Sequence, residues 1–192
     1  MSEARKKFVR EYMAEIKKIL GSIEDDLSNG VEKLATILSE ARMVKSMVFT
    51  MGNGGSAATA SHFAEDLAKG TITEGLPRFR AIGLTDSIPS MLAWANDSCY
   101  EDIFIEQLKN LMEPGDIVIG ISGSGNSMNV IRAIEYANTE GGVTVGISGY
   151  DGGKLLKSAR ENIHIPSFDM QMVEDIHLLV LHMLFRLLRD AG

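Results

Sequence analysis

A chain of 192 residues is long enough to bury its own core and short enough to form a single domain over 1–192. Its 19 Lys and Arg stand against 26 Asp and Glu, a net charge of -7 that excludes nucleic acid as a general partner. With 45% hydrophobic residues, a mean hydropathy of +0.03 and no uninterrupted apolar run of about 18 residues, the composition excludes a membrane span and fits a soluble globular protein.

Residues 2–20 read as an amphipathic helix, with Phe8, Tyr12 and Ile16 at helical spacing, and residues 23–42 as a second, with Leu27, Val31, Leu34 and Leu38 recurring. Both are expected to pack on the sheet and on a neighbouring subunit. Residues 46–51 form a short apolar run, right for a buried strand. Gly52-Asn53-Gly54-Gly55-Ser56 breaks it, and a helix rich in small residues follows over 57–69, stopped at Gly70. Residues 78–84 are a second strand, 88–95 a helix with Pro89 in its first turn, and 100–112 another helix. Residues 116–121 have the continuous apolar character of a parallel strand, followed by Ser122-Gly123-Ser124-Gly125-Asn126-Ser127 and a helix over 128–140. A fourth strand over 143–148, a short helix over 151–159 and a fifth strand over 162–166 precede a final helix over 169–190. That last helix is apolar on most faces between Ile176 and Leu188, so it is expected to be buried at a subunit contact. Strands alternating with helices predict an α/β three-layer sandwich around a five-stranded, mainly parallel sheet, with two extra N-terminal helices.

In such a fold both glycine–serine loops lie at the C-terminal edge of the sheet, where ligands bind. Each opens a helix, whose free backbone N–H groups and dipole favour an anion. The hydroxyls of Ser122, Ser124 and Ser127 beside those N–H groups suit a phosphate monoester. The loop lacks the lysine of a nucleoside-triphosphate loop and the spacing of a dinucleotide fingerprint, so no nucleotide cofactor is expected. His62 and Asp66 are four residues apart on one helix face, and Glu65 is three from His62, so spacing leaves both carboxylates in play. A carboxylate can remove the proton next to a sugar carbonyl while a histidine protonates its oxygen, which interconverts ketose and aldose through an enediol. Histidine with carboxylates is also an acceptable donor set for zinc or another divalent ion. Glu174 and His182, eight residues apart, are about 12 Å apart along one helix. Both can reach one ion only if their side chains converge or come from different subunits.

Taken in order, Gly52-Asn53-Gly54-Gly55-Ser56, His62, Asn96-Asp97 with Tyr100-Glu101, the serine loop, and Glu174-Asp175-Ile176-His177 with His182 resemble a sugar isomerase (SIS) domain of the phosphoheptose isomerase type. The resemblance spans essentially the whole chain. It implies isomerisation of a phosphorylated ketose and aldose, with sedoheptulose 7-phosphate the expected substrate. It implies sugar-phosphate contacts from Asn53, Gly54, Gly55, Ser56, Asn96 and Asp97, and phosphate contacts from Ser122, Gly123, Ser124 and Ser127. Asp66, with Glu65 as rival, would be the base, and His182 the acid. His62, Asp66, Glu174 and His182 would form the zinc site, with Glu174 also near the substrate, and the chain would be a homotetramer with sites at subunit interfaces. The sequence departs from the family pattern at Asp66, where the family has glutamate, at Glu174, where it has glutamine, and at Gly123, where it has threonine. Two other readings remain: an isomerase of another sugar phosphate, and a non-catalytic SIS module that binds a sugar phosphate or serves assembly.

The remaining residues read more plainly. Cys99 is the one cysteine, which excludes a disulfide framework within the chain and agrees with a reducing compartment. The first seven residues lack the apolar stretch of a signal peptide, so the cytoplasm is the expected location. Cys99 and Trp94 are expected in the core, and His177 beside the site, on the surface or at an interface.

Overall fold

The computed structural model describes residues 2–190. Five strands, β1 (Met47–Met51), β2 (Arg80–Gly83), β3 (Ile117–Ser122), β4 (Val143–Ser148) and β5 (Glu161–His164), form one sheet in the order β2-β1-β3-β4-β5. Every neighbouring pair is parallel. Helices cover both faces, so β3 is buried at all six positions and its sequence runs apolar without alternation. The pleat sorts the side chains into two cores. Val48, Ile117, Ile119, Ile121, Val145 and Ile147 face one way, against α2 (Glu24–Val44), α3 (Gly55–Glu65) and α8 (Met170–Asp190). Phe49, Met51 and Val118 face the other, against α5 (Ile105–Leu111), α6 (Met128–Thr139) and the one-turn α7 (Leu155–Ser158), with α4 (Ile88–Asp97) packed at its margin.

Strands β1 and β3 are direct neighbours, with Met51 level with Gly120. From β1 the chain moves outward to β2, and from β3 it moves the opposite way through β4 to β5. The two glycine–serine loops therefore leave adjacent strands at the point where the strand order reverses, the place where open α/β sheets hold ligands.

Several elements differ from the sequence expectation, each for a local reason. The helix expected over 57–69 is α-helical only to Glu65; Asp66–Gly70 form a π-helical turn. The Thr71 hydroxyl then donates to the Leu67 carbonyl at 2.7 Å and closes the turn. The helix expected over 100–112 splits into a 3₁₀ turn, Tyr100–Asp102, and α5. Asp102 is drawn out of a regular helix by Ser98 at 2.5 Å and Arg132 at 2.7 Å. The helix expected over 151–159 shrinks to α7 because Gly152 and Gly153 both take positive φ. The fifth strand starts one residue early and ends at His164; Ile165 still bonds the Ser148 carbonyl, and Pro166 has no N–H to continue.

The two leading helices also part company. α2 is built into the core, whereas α1 (Ser2–Ser22) buries only Ile19 and leaves Phe8, Val9 and Met13 exposed. Helix α8 is buried along one stripe, Val173, Ile176, Val180, Leu181 and Leu184, not on most faces. Its other side, with Leu179 and Leu187, lines an apolar groove of about 1010 Å³ against Leu20 and Leu27. Cys99 and Trp94 are half-buried. His177 is buried at 1% exposure, neither at the surface nor open to a partner.

Candidate functional site

The first loop turns at Gly54, whose φ of 55° is a backbone state that suits glycine. No side chain caps α3 there, so its first N–H groups remain free for an anion. The second loop folds back through a Gly125 N–H to Ser122 carbonyl bond of 3.0 Å. It leads into α6 at Ser127, again with no side-chain cap. The Ser122 and Ser127 hydroxyls stand 3.1 Å apart. Asn53, Ser56, Ser122, Gly123, Ser124, Ser127, Met170 and Glu174 thus line one small polar cavity of about 130 Å³. Two uncapped helix starts and a set of hydroxyls converge on it, the arrangement an oxyanion of phosphate requires.

Helices α3 and α8 run side by side in the same direction: Gly55 meets Glu174 and His62 meets His182. His62 is six positions beyond Ser56, a rise of about 9 Å along α3. There the His62 and His182 rings meet edge to face at 5.0 Å between centroids. His62 Nε2 lies 3.7 Å from the Asp66 carboxylate, with the two side chains 49% and 20% exposed. One donor atom each from His62, Asp66 and His182 falls within 4.8 Å of the others. Two imidazoles and a carboxylate at that spacing fit three positions of a zinc-type ion. The same groups can serve as acid and base toward a substrate reaching down from the cavity.

A model of the SIS domain matches residues 11–149 of the chain. Phosphoheptose isomerase from Aliarcobacter butzleri is 38% identical over 176 residues, covering 91% of this chain and 91% of that protein. The Yersinia enterocolitica phosphoheptose isomerase is 36% identical over 166 residues, covering 86% and 85%. The chain belongs to the phosphoheptose isomerase family of SIS domains. The fold agrees along its length: the structure of phosphoheptose isomerase from Neisseria gonorrhoeae superposes with a TM-score of 0.88 at 27% identity, over 97% of this chain and 99% of that one.

Within this SIS domain the residues singled out from sequence divide into groups. The cavity gathers Asn53, Ser56, Ser122, Gly123, Ser124, Ser127 and Glu174, with Gly54 and Gly55 forming the turn beside it. A second cluster gathers His62, Asp66 and His182. Glu65 is exposed and outside that cluster, so the structure separates the two rival carboxylates. Glu174 is also outside it: its carboxylate lies over Gly55, 2.6 Å from where a Cβ on that glycine would sit. Within one chain, the eight-residue offset along α8 keeps Glu174 at the cavity and away from His182. Asn96 and Asp97 are not brought to the cavity either. They end α4, exposed and bonded to each other at 2.8 Å, on a helix that buries no residue.

The structure also accounts for Gly123 where the family has threonine. A Cβ on Gly123 would collide with the Met170 sulfur, so Met170 from α8 fills that space. Asn129 is a further polar residue at the loops that the sequence reading passes over. It is 2% exposed and pairs with Asn53. A polar residue just inside the helix start after the serine loop is its sequence signal, and such residues ordinarily face solvent.

Proposed function

We propose that this chain isomerises sedoheptulose 7-phosphate to a heptose 7-phosphate, as one SIS domain over 1–192. One observation carries the reading: an oxyanion cavity at two uncapped helix starts, with a histidine–carboxylate cluster farther along the same two helices, α3 and α8. Ser56, Ser122, Ser124 and Ser127 with the free N–H groups hold the phosphate. The open sugar chain extends from the cavity along α3 and α8, which brings its carbonyl end to His62, Asp66 and His182. Asp66 removes the proton from the carbon next to the carbonyl, and His182 protonates the carbonyl oxygen. The result is an enediol. Return of the proton to the neighbouring carbon, with loss of the hydroxyl proton from the other oxygen, gives the aldose. Atoms and electrons balance without a redox partner.

His62, Asp66 and His182 are also the residues that would hold a divalent ion, zinc by resemblance. When bound, such an ion supplies polarisation of the carbonyl oxygen. The exposed apolar residues of α1 and the groove lined by Leu20, Leu27, Leu179 and Leu187 support the expected homotetramer. Among the described residues no helix is long and apolar enough to cross a membrane.

The test is an NMR time course of zinc-supplemented protein with sedoheptulose 7-phosphate. Conversion to a heptose 7-phosphate that disappears in Asp66→Asn is the expected result. Binding of the ester with no conversion would overturn the isomerase reading and favour a sugar-phosphate-binding SIS module.

A further inference from the structure

Three side chains from three separate elements close a hydrogen-bond network between the two loops. Asn53 donates from Nδ2 to Asn129 Oδ1 at 2.9 Å, and Asn129 donates back from Nδ2 to Asn53 Oδ1 at 2.8 Å. The Tyr100 hydroxyl donates to the same Asn53 oxygen at 2.9 Å. The backbone N–H of Val130 donates to Asn129 Oδ1 at 3.0 Å. That last bond sets the orientation of the whole group, because a backbone N–H can only donate. It makes Oδ1 of Asn129 the acceptor, so Asn53 must present its NH₂ there and its oxygen to the Asn129 NH₂. The Tyr100 hydroxyl must then be the donor. The Asn53 oxygen has accepted twice and has no capacity left for a sugar hydroxyl.

We propose that Asn129 is a positioning residue, acting through Asn53 to hold the glycine loop and the serine loop at the separation that clasps one phosphate. The inference rests on the reading that both loops hold a single phosphorylated ligand. Asn53 stands on the loop that opens α3, and Asn129 is the second residue of α6, directly after the serine loop. A reciprocal amide pair is a two-point link, so it restrains direction as well as distance. Asn129 is 2% exposed, where an unpaired amide would be costly, so the pair stays closed. Tyr100 adds a third anchor from the 3₁₀ turn, and Arg132 of α6 ties that turn back through Asp102 at 2.7 Å. None of the three side chains lies beside His62, Asp66 or His182. The network therefore acts on how the phosphate is held and leaves the proton transfers alone.

The experiment measures steady-state kinetics with sedoheptulose 7-phosphate, calorimetric binding of inorganic phosphate and of the ester, and melting temperature. The proteins are wild type, Asn129→Ala, Asn53→Ala, the double variant and Tyr100→Phe. Asn129→Ala is expected to raise KM and both Kd values about tenfold, with kcat held. The double variant is expected to be no worse than either single, because one link is broken in all three. Tyr100→Phe removes one hydroxyl from an exposed side chain and is expected to raise KM about threefold. It decides the matter if Asn129→Ala fails to fold. Losses at Asn53 and Asn129 that multiply would overturn the proposal, as would a lowered melting temperature with unchanged KM and Kd. If the wild type binds the ester without converting it, the isomerase reading falls and the Kd cycle still decides the link.

Discussion

The serine cavity and the acid–base cluster share α3 and α8, yet they are built in opposite ways. At the cavity the loop side chains are bonded to one another, Ser122 with Ser127 and Asn53 with Asn129 and Tyr100, and the Asn126 backbone N–H donates to the Ser124 hydroxyl. At the cluster, one 3.7 Å histidine–carboxylate contact and one ring contact join three side chains, and His62 is half exposed. The binding half is thus preorganised, which lowers the ordering cost of holding a ligand. The cluster has few such bonds, the freedom that its proposed acid–base role needs. The π-helical turn begins at Asp66, where the α-helix stops. Such turns recur at functional positions because they let a side chain leave the regular helical spacing.

That contrast can be broken most strongly at the cluster. Asp66→Asn and His182→Gln are each expected to lower kcat about 10²–10⁴-fold, with phosphate affinity kept. Glu65→Gln, one position away but outside the cluster, is expected to keep kcat; a loss there equal to that of Asp66→Asn would return the base to Glu65. A second effect lies on α8 between the two regions. His177 has no hydrogen-bond partner for either ring nitrogen among the described residues, and burial pushes its pKa down to about 4. Between its ordinary value near 6.5 and about 4 the unfolded chain binds a proton that the folded chain refuses. Stability from this residue is therefore complete above the ordinary value and falls as pH drops through that window, by about 3 kcal/mol. His177→Leu is expected to flatten that slope in urea titrations at a series of pH values.

Smaller effects sharpen the cavity. Ser124→Ala is expected to raise KM about tenfold through one lost bond to a charged phosphate, with kcat kept. Smallest is Glu174→Gln: because Glu174 lies outside the cluster, zinc affinity measured against a competing chelator is expected to stay at the wild-type value. A large loss would show that Glu174 reaches an ion, from this chain or a neighbour.

Much of this was legible beforehand, and the reasons are local. The apolar runs at 46–51, 116–121 and 143–148 read as strands because helices cover both faces of a parallel sheet. The two loops read as anion sites because glycine and serine at a helix start leave N–H groups free, and this holds whatever lies around them. The breaks in the helices over 57–69 and 100–112 were not legible. They depend on the Leu67–Thr71 bond closing one turn, and on Ser98 and Arg132, from α6, drawing on Asp102. Spacing also could not tell which carboxylate clusters with the histidines, since positions three and four beyond His62 are both one turn away; the structure groups Asp66 with them.

The ordered motifs carried the family only as a resemblance; composition, hydrophobic period and loop chemistry were enough for the α/β sandwich, the order of its elements and the two anion-type loops. Those properties follow from short-range physics: burial, capping and the free N–H groups of a helix start. Tertiary structure alone decided that α8 lies beside α3, bringing His182 to His62 and Asp66 and leaving Glu174 over Gly55. It also closed Asn53 onto Asn129, 76 positions away in the chain. Contacts of that kind depend on how helices from opposite ends of the chain pack on one sheet, and no local pattern encodes a distance between them.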